Sequence, residues 1–136
     1  MVALESEIDL AKSYLALEKI RFEERLRVDW DILPGLESFQ IPPFSLQMMV
    51  ENSIKHGISN LPNGGIVKIS ANETDDTIII TVENTGTLID IIDLGVGIQN
   101  IKQRLALQYV NGAEFSIKEE EGRVFAQMNF IKNETI

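Results

Sequence analysis

Residues 65–83, with the sequence GIVKISANETDDTIIITVE, decide the fold class of this chain. Two runs rich in β-branched residues, 65–71 and 77–83, lie on either side of the polar segment 72–76. β-Branched side chains favour strands, and a short segment rich in Asn and Asp favours a turn. The stretch therefore predicts a β-hairpin.

A helix and a strand are predicted at the start of the chain. Apolar residues at helical spacing indicate an amphipathic helix over residues 6–24, with Ser6 as its N-cap. Residues 26–32 alternate apolar and polar side chains, which is typical of a half-buried strand.

A second helix precedes the hairpin. Pro42 and Pro43 suit its first turn, because proline holds the backbone in a helical φ. We expect it to continue to His56 and to end at Gly57 in the left-handed conformation.

The elements after the hairpin complete the architecture. Residues 86–97 carry glycines at both ends without a clear period, 98–109 have a helical pattern, and 113–118 and 123–131 form a second hairpin around 119–122. Paired strands separated by single helices favour a two-layer α/β sandwich, with helices covering one face of a mixed sheet.

Composition excludes several classes of function. The 136-residue chain has no Cys, so disulfides, thiolate zinc sites and cysteine nucleophiles are excluded. Its net charge of −9 argues against nucleic-acid binding. No apolar run approaches the roughly 20 residues of a membrane helix, and the first residues lack the features of a signal peptide. We therefore expect one cytoplasmic domain without direct membrane contact.

The sequence lacks the common catalytic motifs. His56 is the only His, and no Ser lies at a strand-to-helix elbow, which argues against a Ser-His-Asp triad. There is no P-loop sequence. Residues 95–100, GVGIQN, end in Asn and follow a loop, so they fail as a dinucleotide fingerprint.

The second predicted helix has an apolar and a polar face. Helical spacing places Asn52, Lys55 and His56 with Met48, opposite a core-facing stripe of Leu46, Met49, Val50, Ser53 and Ile54. An amide, an ammonium and an imidazole on one face suit a metal ion and a phosphate chain. The alternative is a solvated face with a Glu51–Lys55 pair worth about 0.3 kcal/mol.

Two glycine-containing segments are also candidates for ligand binding. Residues 82–86, VENTG, end a predicted strand, and Gly95 and Gly97 open a predicted helix. Glycines at such positions let backbone N–H groups approach an anion. Two ordinary loops are the alternative interpretation.

The order of these pieces resembles a known family. Residues 42–47 (PPFSLQ), 50–57 (VENSIKHG), 82–86 and 95–105 (GVGIQNIKQRL) are similar to the LytS-type sensor histidine kinases. These belong to the ATPase superfamily that also includes gyrase B, the ninety-kilodalton heat-shock chaperone and MutL. The resemblance covers nearly the whole chain, including the helix that precedes the ATP domain, and implies the Bergerat ATP-binding fold.

The resemblance implies roles for individual residues. In the helix, Asn52 corresponds to the magnesium-binding asparagine and Lys55 to the phosphate-contacting lysine, and His56 occupies the neighbouring phosphate-side position. The remaining positions follow the family's glycine boxes: Asn84 and Gly86 beneath the adenine, Gly95 and Gly97 beside the phosphates, and an ATP lid over residues 87–94.

Some positions depart from the family pattern. The family most often has Asp where Asn84 stands, a second glycine where Leu88 stands, and in many members another asparagine where Met48 stands. These departures motivate one alternative, a degenerate nucleotide-binding or regulatory module without kinase activity. A second alternative is an ATPase or serine kinase of the same superfamily.

The resemblance also implies partners. Residues 1–136 are expected to form a single ATP-binding domain, in which residues 1–25 lead from a dimerisation domain that carries the phosphoacceptor histidine. The expected partners are ATP with Mg²⁺, that histidine phosphotransfer domain and a response regulator, within a membrane-anchored sensor. Because His56 lies in the ATP site, the chain by itself is expected not to autophosphorylate.

Overall fold

The structure is a computed structural model that describes residues 1–87, 101–103 and 112–132. Short 3-10 turns follow the two long helices at Glu23–Arg25 and Ile58–Asn60. The helices and strands are β1 (Val2–Ala3), α1 (Leu4–Phe22), β2 (Leu26–Ile32), β3 (Gln40–Ile41), α2 (Ser45–His56), β4 (Gly65–Glu73), β5 (Thr77–Thr85), β6 (Ala113–Glu120) and β7 (Arg123–Ile131).

Five of the strands form one mixed sheet in the order β2-β4-β5-β7-β6. β2 and β4 are parallel, whereas the other neighbours are antiparallel. The predicted hairpin is confirmed as β4 and β5, with Val67 opposite Asn84. The second hairpin turns more tightly than predicted, because β6 reaches Glu120 and only Glu121 and Gly122 remain, both with positive φ (50° and 77°).

The helices cover one face of this sheet, which confirms the two-layer sandwich. Alternate side chains along the central strands are buried in one cluster with apolar residues of α1 and α2. The cluster includes Leu15, Leu46, Met49, Val67, Ile69, Ile80, Val82 and Met128. Burial of these apolar side chains is the main favourable contribution to the free energy of folding for a domain of this length.

The first helix starts earlier than predicted. α1 begins at Leu4, and Ser6 lies exposed inside its first turn instead of capping it. The backbone N–H of Leu4 donates to the Phe39 carbonyl at 2.8 Å, next to the short antiparallel pairing of β1 with β3. This pairing joins residues far apart in sequence, so local capping preferences did not reveal it.

Both ends of the second helix differ from the prediction. α2 begins at Ser45, because Phe44 adopts the left-handed conformation at φ 64° and Pro42 O accepts the Ser45 N–H at 3.2 Å. Gly57 follows the helix as predicted, but its φ is −111°, so the left-handed ending was wrong. Glycine is required at this position because a side chain would not fit against the neighbouring atoms, and not because of the backbone conformation.

The segment between β5 and β6 is described only in part. Residues 101–103 are helical and Ile101 is fully buried, within the predicted helix over 98–109. Gly95, Gly97 and the predicted lid beyond Thr87 lie outside the described residues. Within the described ranges, neither the 19-residue α1 nor any shorter helix has the apolar length that a membrane crossing requires.

Candidate functional site

The two faces of α2 are divided as predicted. All five residues of the apolar stripe are buried, with at most 6 % of any one exposed. On the other face Lys55 is exposed, and Asn52 and His56 are half-buried. The polar face is therefore available to a ligand while the apolar face holds the helix on the sheet.

The Asn52 side chain carries a shielded amide group. Its Nδ2 atom is removed from solvent and has no hydrogen-bond partner within the part of the chain that the structure describes. Burying an amide without a partner is unfavourable by about 1–3 kcal/mol. No hydrogen bond in that part of the chain explains why this nitrogen is buried, which makes Asn52 a candidate for contact with a ligand.

In the described ranges, Gln47 Oε1 is the second buried polar side-chain atom without a hydrogen-bond partner. Its surroundings differ from those of Asn52. The Gln47 Nε2 donates to Glu51 at 2.9 Å, and Glu51 lies close enough to Tyr14 of α1 to affect its titration. Burial, with the nearby Glu18 and Glu51 carboxylates, raises the pKa of Tyr14 to about 12. The Tyr14 phenol is therefore neutral at pH 7 and lies near the Gln47–Glu51 pair.

Asn84 lies near the end of β5, on the helix-covered face of the sheet. It is 4 % exposed, and its Nδ2 donates to the Thr85 carbonyl at 2.9 Å. The next residue but one, Gly86, has a φ of 135°, which favours glycine, and its N–H donates to Gly122 O at 2.9 Å. The amide nitrogen of Asn84 therefore has a backbone partner, and it is also the Asn84 atom nearest to Gly57 and Gly86.

The end of α2 meets the end of β5 at Gly57. A Cβ on Gly57 would lie 2.3 Å from Asn84 Nδ2 and 2.4 Å from the Ser53 carbonyl, closer than any real contact allows. A Cβ on Gly86 would lie 3.9 Å from the Gly57 Cα. The structure therefore brings Asn84 and Gly86 against the helix that carries Asn52, Lys55 and His56.

The opposite face of the sheet holds a separate shallow cavity of about 180 Å³. Glu83 and Thr85 point there because side chains alternate along β5, with Asn84 between them on the covered face. Arg123 and Glu83 form an ion pair in this cavity. It is lined by Asp29, Ile66, Lys68, Glu83, Thr85 and Arg123.

The sequence interpretation missed one buried acidic residue, Glu7. It is 3 % exposed, and its carboxylate accepts from the N–H groups at the start of α2. Its position in the sequence could have indicated this burial, because Glu7 falls on the same helix face as the apolar residues Leu4, Ile8 and Ala11. A carboxylate buried there without a partner would be unfavourable, so a partner was to be expected. Its partners, however, come from another helix.

The fold is shared with solved histidine-kinase structures. The nucleotide-free catalytic domain of histidine kinase ThkA superimposes with a TM-score of 0.70 at 12 % identity, over 96 % of this chain and 95 % of that one. Another structure contains ThkA in complex with the response regulator TrrA. No model of a known protein family matches the chain.

Sequence relatives agree with the structural likeness. The sensor histidine kinase BtsS of Escherichia coli K12 is 38 % identical over 106 residues, 76 % of this chain and 19 % of BtsS. The sensor protein LytS of Staphylococcus haemolyticus is 33 % identical over 89 residues, 65 % of this chain and 15 % of LytS. The chain belongs to the LytS-type histidine-kinase catalytic domains. It spans about a fifth or less of these LytS-type relatives.

The contact at Gly57 of this LytS-type domain gives a direct test. Gly57→Ala should lower the free energy of unfolding by about 1–3 kcal/mol, the usual effect of overpacking. It should also shift the Asn84 side-chain amide signal in an NMR spectrum, because the new methyl group displaces that amide.

Gly35→Ala is the control, since Gly35 has a φ of 102° but open space where its Cβ would lie. It should lower stability through backbone strain alone and leave the Asn84 signal in place. An unchanged Asn84 signal in Gly57→Ala would contradict the packing described here.

Proposed function

We propose that this domain binds ATP between the polar face of α2 and the end of β5, and presents it for phosphoryl transfer to a histidine on a separate dimerisation domain. The observation that carries the proposal is the approach of Asn84 to the end of α2, where a Cβ on Gly57 would overlap the Asn84 amide and Gly86 lies nearby. A base-binding group and a phosphate-binding helix face are then adjacent.

The adenine end of the proposed site is Asn84. Its amide nitrogen donates to Thr85 O, and we assign its Oδ1, which can only accept, to the adenine amino group. An amide oxygen accepts more weakly than the carboxylate that most of the family has there. The backbone of Gly86, without a side chain, lets the base approach closely.

The phosphate end is the polar face of α2. Asn52, Lys55 and His56 lie there, and the buried Nδ2 of Asn52 has no hydrogen-bond partner in the described part of the chain, which leaves the role of this side chain to a ligand in our proposal. An amide oxygen suits Mg²⁺, which prefers oxygen ligands and takes few from the protein when phosphates and water supply the rest.

Electrostatics explain why the cation is needed. The chain has a net charge of −9, so the domain as a whole repels a polyphosphate, and Lys55 supplies a positive charge on the proposed phosphate face. Bound Mg²⁺ supplies charge neutralisation of the phosphate chain. We propose that Asn52 holds the ion and that Lys55 and His56 hold the phosphates. Gly95 and Gly97, which lie outside the described residues, complete the phosphate side in this proposal.

The remaining partners are also proposals. In-line transfer requires a nucleophile opposite the leaving oxygen, and His56 lies on the helix face proposed for the phosphates. A histidine on another domain fits better, with residues 1–25 leading from it. ThkA binds a response regulator, and the relatives are named sensor kinases, so we propose a response-regulator partner and a cytoplasmic location within a membrane-anchored sensor.

The magnesium assignment predicts a specific loss in Asn52→Ala. Calorimetry on the parent domain should show weak ATP binding in chelator and tighter binding with Mg²⁺. In Asn52→Ala the affinity with Mg²⁺ should fall about tenfold, or 1.4 kcal/mol, toward the chelator value.

Asn72→Ala makes the same substitution at an exposed position on β4 and should bind as the parent does. Equal parent affinity with and without Mg²⁺ would contradict the assignment. If Asn52→Ala fails to fold, its polar face has a structural role instead.

The transfer assignment predicts where labelled phosphate goes. Incubated with radiolabelled ATP and Mg²⁺, the isolated domain should incorporate essentially no acid-labile phosphate. A histidine-bearing dimerisation domain of a LytS-type relative, added in trans, should become labelled slowly, because the tether that raises local concentration is missing.

Robust labelling of the isolated domain at His56 would overturn this division of roles. ATP binding without any labelling in trans, with a competent relative as positive control, would favour the degenerate regulatory module.

A further inference from the structure

The start of α2 is held by a side chain from another helix. Glu7 of α1 accepts two backbone hydrogen bonds, from the Phe44 N–H to Oε2 at 3.0 Å and from the Leu46 N–H to Oε1 at 3.1 Å. The two partners are 37 and 39 residues away in sequence. Both carboxylate oxygens are therefore used on one helix end.

This contact replaces an ordinary helix cap. The first N–H groups of a helix have no partner within it and are usually satisfied by the N-cap side chain. Phe44 stands at that position and has no polar side chain, so it makes no side-chain cap. Glu7 supplies the missing acceptor, and its negative charge also suits the positive end of the helix.

The backbone at Phe44 shows how tightly this end is held. A bulky residue at φ 64° is strained, and because Phe44 is 53 % exposed, burial of its side chain does little to offset that strain. The Glu7 carboxylate binds the N–H of that same residue. The strained conformation is thus maintained by a contact with α1.

The opposite end of α2 is fixed independently. Gly57 packs against Asn84 with no room for a Cβ. Asn52 lies six residues after Leu46, about 9 Å along the helix at 1.5 Å per residue. Because a helix is stiff over this distance, a shift at Leu46 tilts or rotates α2 about the Gly57 contact and so moves Asn52 and reorients His56.

We propose that Glu7 is a positioning residue for the nucleotide site: it sets the tilt and rotation of α2 about its contact at Gly57, and so the placement of Asn52 and His56 relative to Asn84. This inference rests on the proposed function for its effect on ATP. α1 is itself anchored before Glu7, where the Leu4 and Glu5 N–H groups donate to Phe39 O and Glu37 O at 2.8 and 2.9 Å. A displacement of α1 is therefore passed to the site through Glu7.

The test compares Glu7→Gln with Glu5→Gln, which removes an exposed carboxylate from the same turn of α1. Glutamine offers one neutral acceptor in place of two charged ones. In Glu7→Gln, the Phe44 and Leu46 amide signals should shift, and so should the Asn52 side-chain and His56 signals, while signals from the β6–β7 hairpin stay in place. Glu5→Gln should leave all of them unchanged.

Calorimetry then tests whether the displacement of α2 in these variants weakens Mg-ATP binding. Well below the melting temperature, Glu7→Gln should weaken Mg-ATP binding by about tenfold, as expected for a lost charge-assisted contact. If Glu7→Gln fails to fold, Glu7→Asp keeps the charge but is too short for both bonds, and should give the same pattern more weakly.

The outcomes distinguish the positioning role of Glu7 from the proposed ATP-binding function. A lower melting temperature with unmoved Asn52 and His56 signals would overturn the positioning role and leave Glu7 as a stabilising cap. If the parent does not bind ATP, the proposed function fails, yet the Asn52 and His56 signals of the ligand-free variants still decide the positioning role.

Discussion

The close approach of Gly57 to Asn84 is the constraint on which the rest of the site depends. A helix end and a strand end meet there with no space for even a methyl group. The contact involves backbone on one side and a buried amide on the other, so it limits how closely the two elements can approach. It fixes how far α2 extends over the sheet, and so which of its residues face the end of β5.

α2 is held at both ends by contacts that do not involve its polar face. Glu7 binds its first N–H groups, and Gly57 packs against Asn84 at its end. Its apolar stripe covers the sheet between these points. Asn52, Lys55 and His56 are therefore presented by a helix whose position is determined elsewhere, which is how a binding site is kept ordered before its ligand arrives.

The parts of the fold that were predictable from sequence are those with a local period. Strands β4 and β5 follow from alternation of β-branched residues around a polar turn. The faces of α2 follow from helical spacing, because burial repeats with the geometry of each element. Asn52 and Asn84 were candidates because their residue types and order match a known family.

The parts that were not predictable depend on contacts between distant segments. Glycine after a helix most often adopts the left-handed conformation, so nothing local indicated that Gly57 is required for space instead. The β1–β3 pairing and the Glu7 contacts join residues nearly forty positions apart. A buried carboxylate in an apolar stripe signals a partner, but the sequence does not say which one.

The most direct test of the account is to map Mg-ATP onto the isotope-labelled domain by NMR. Binding between α2 and β5 predicts the largest shifts at the Asn52 and Asn84 side chains, His56 and the Gly86 amide, with the Glu83 and Arg123 signals of the opposite face little changed. Shifts concentrated on that opposite face, or no shifts at millimolar Mg-ATP, would contradict it.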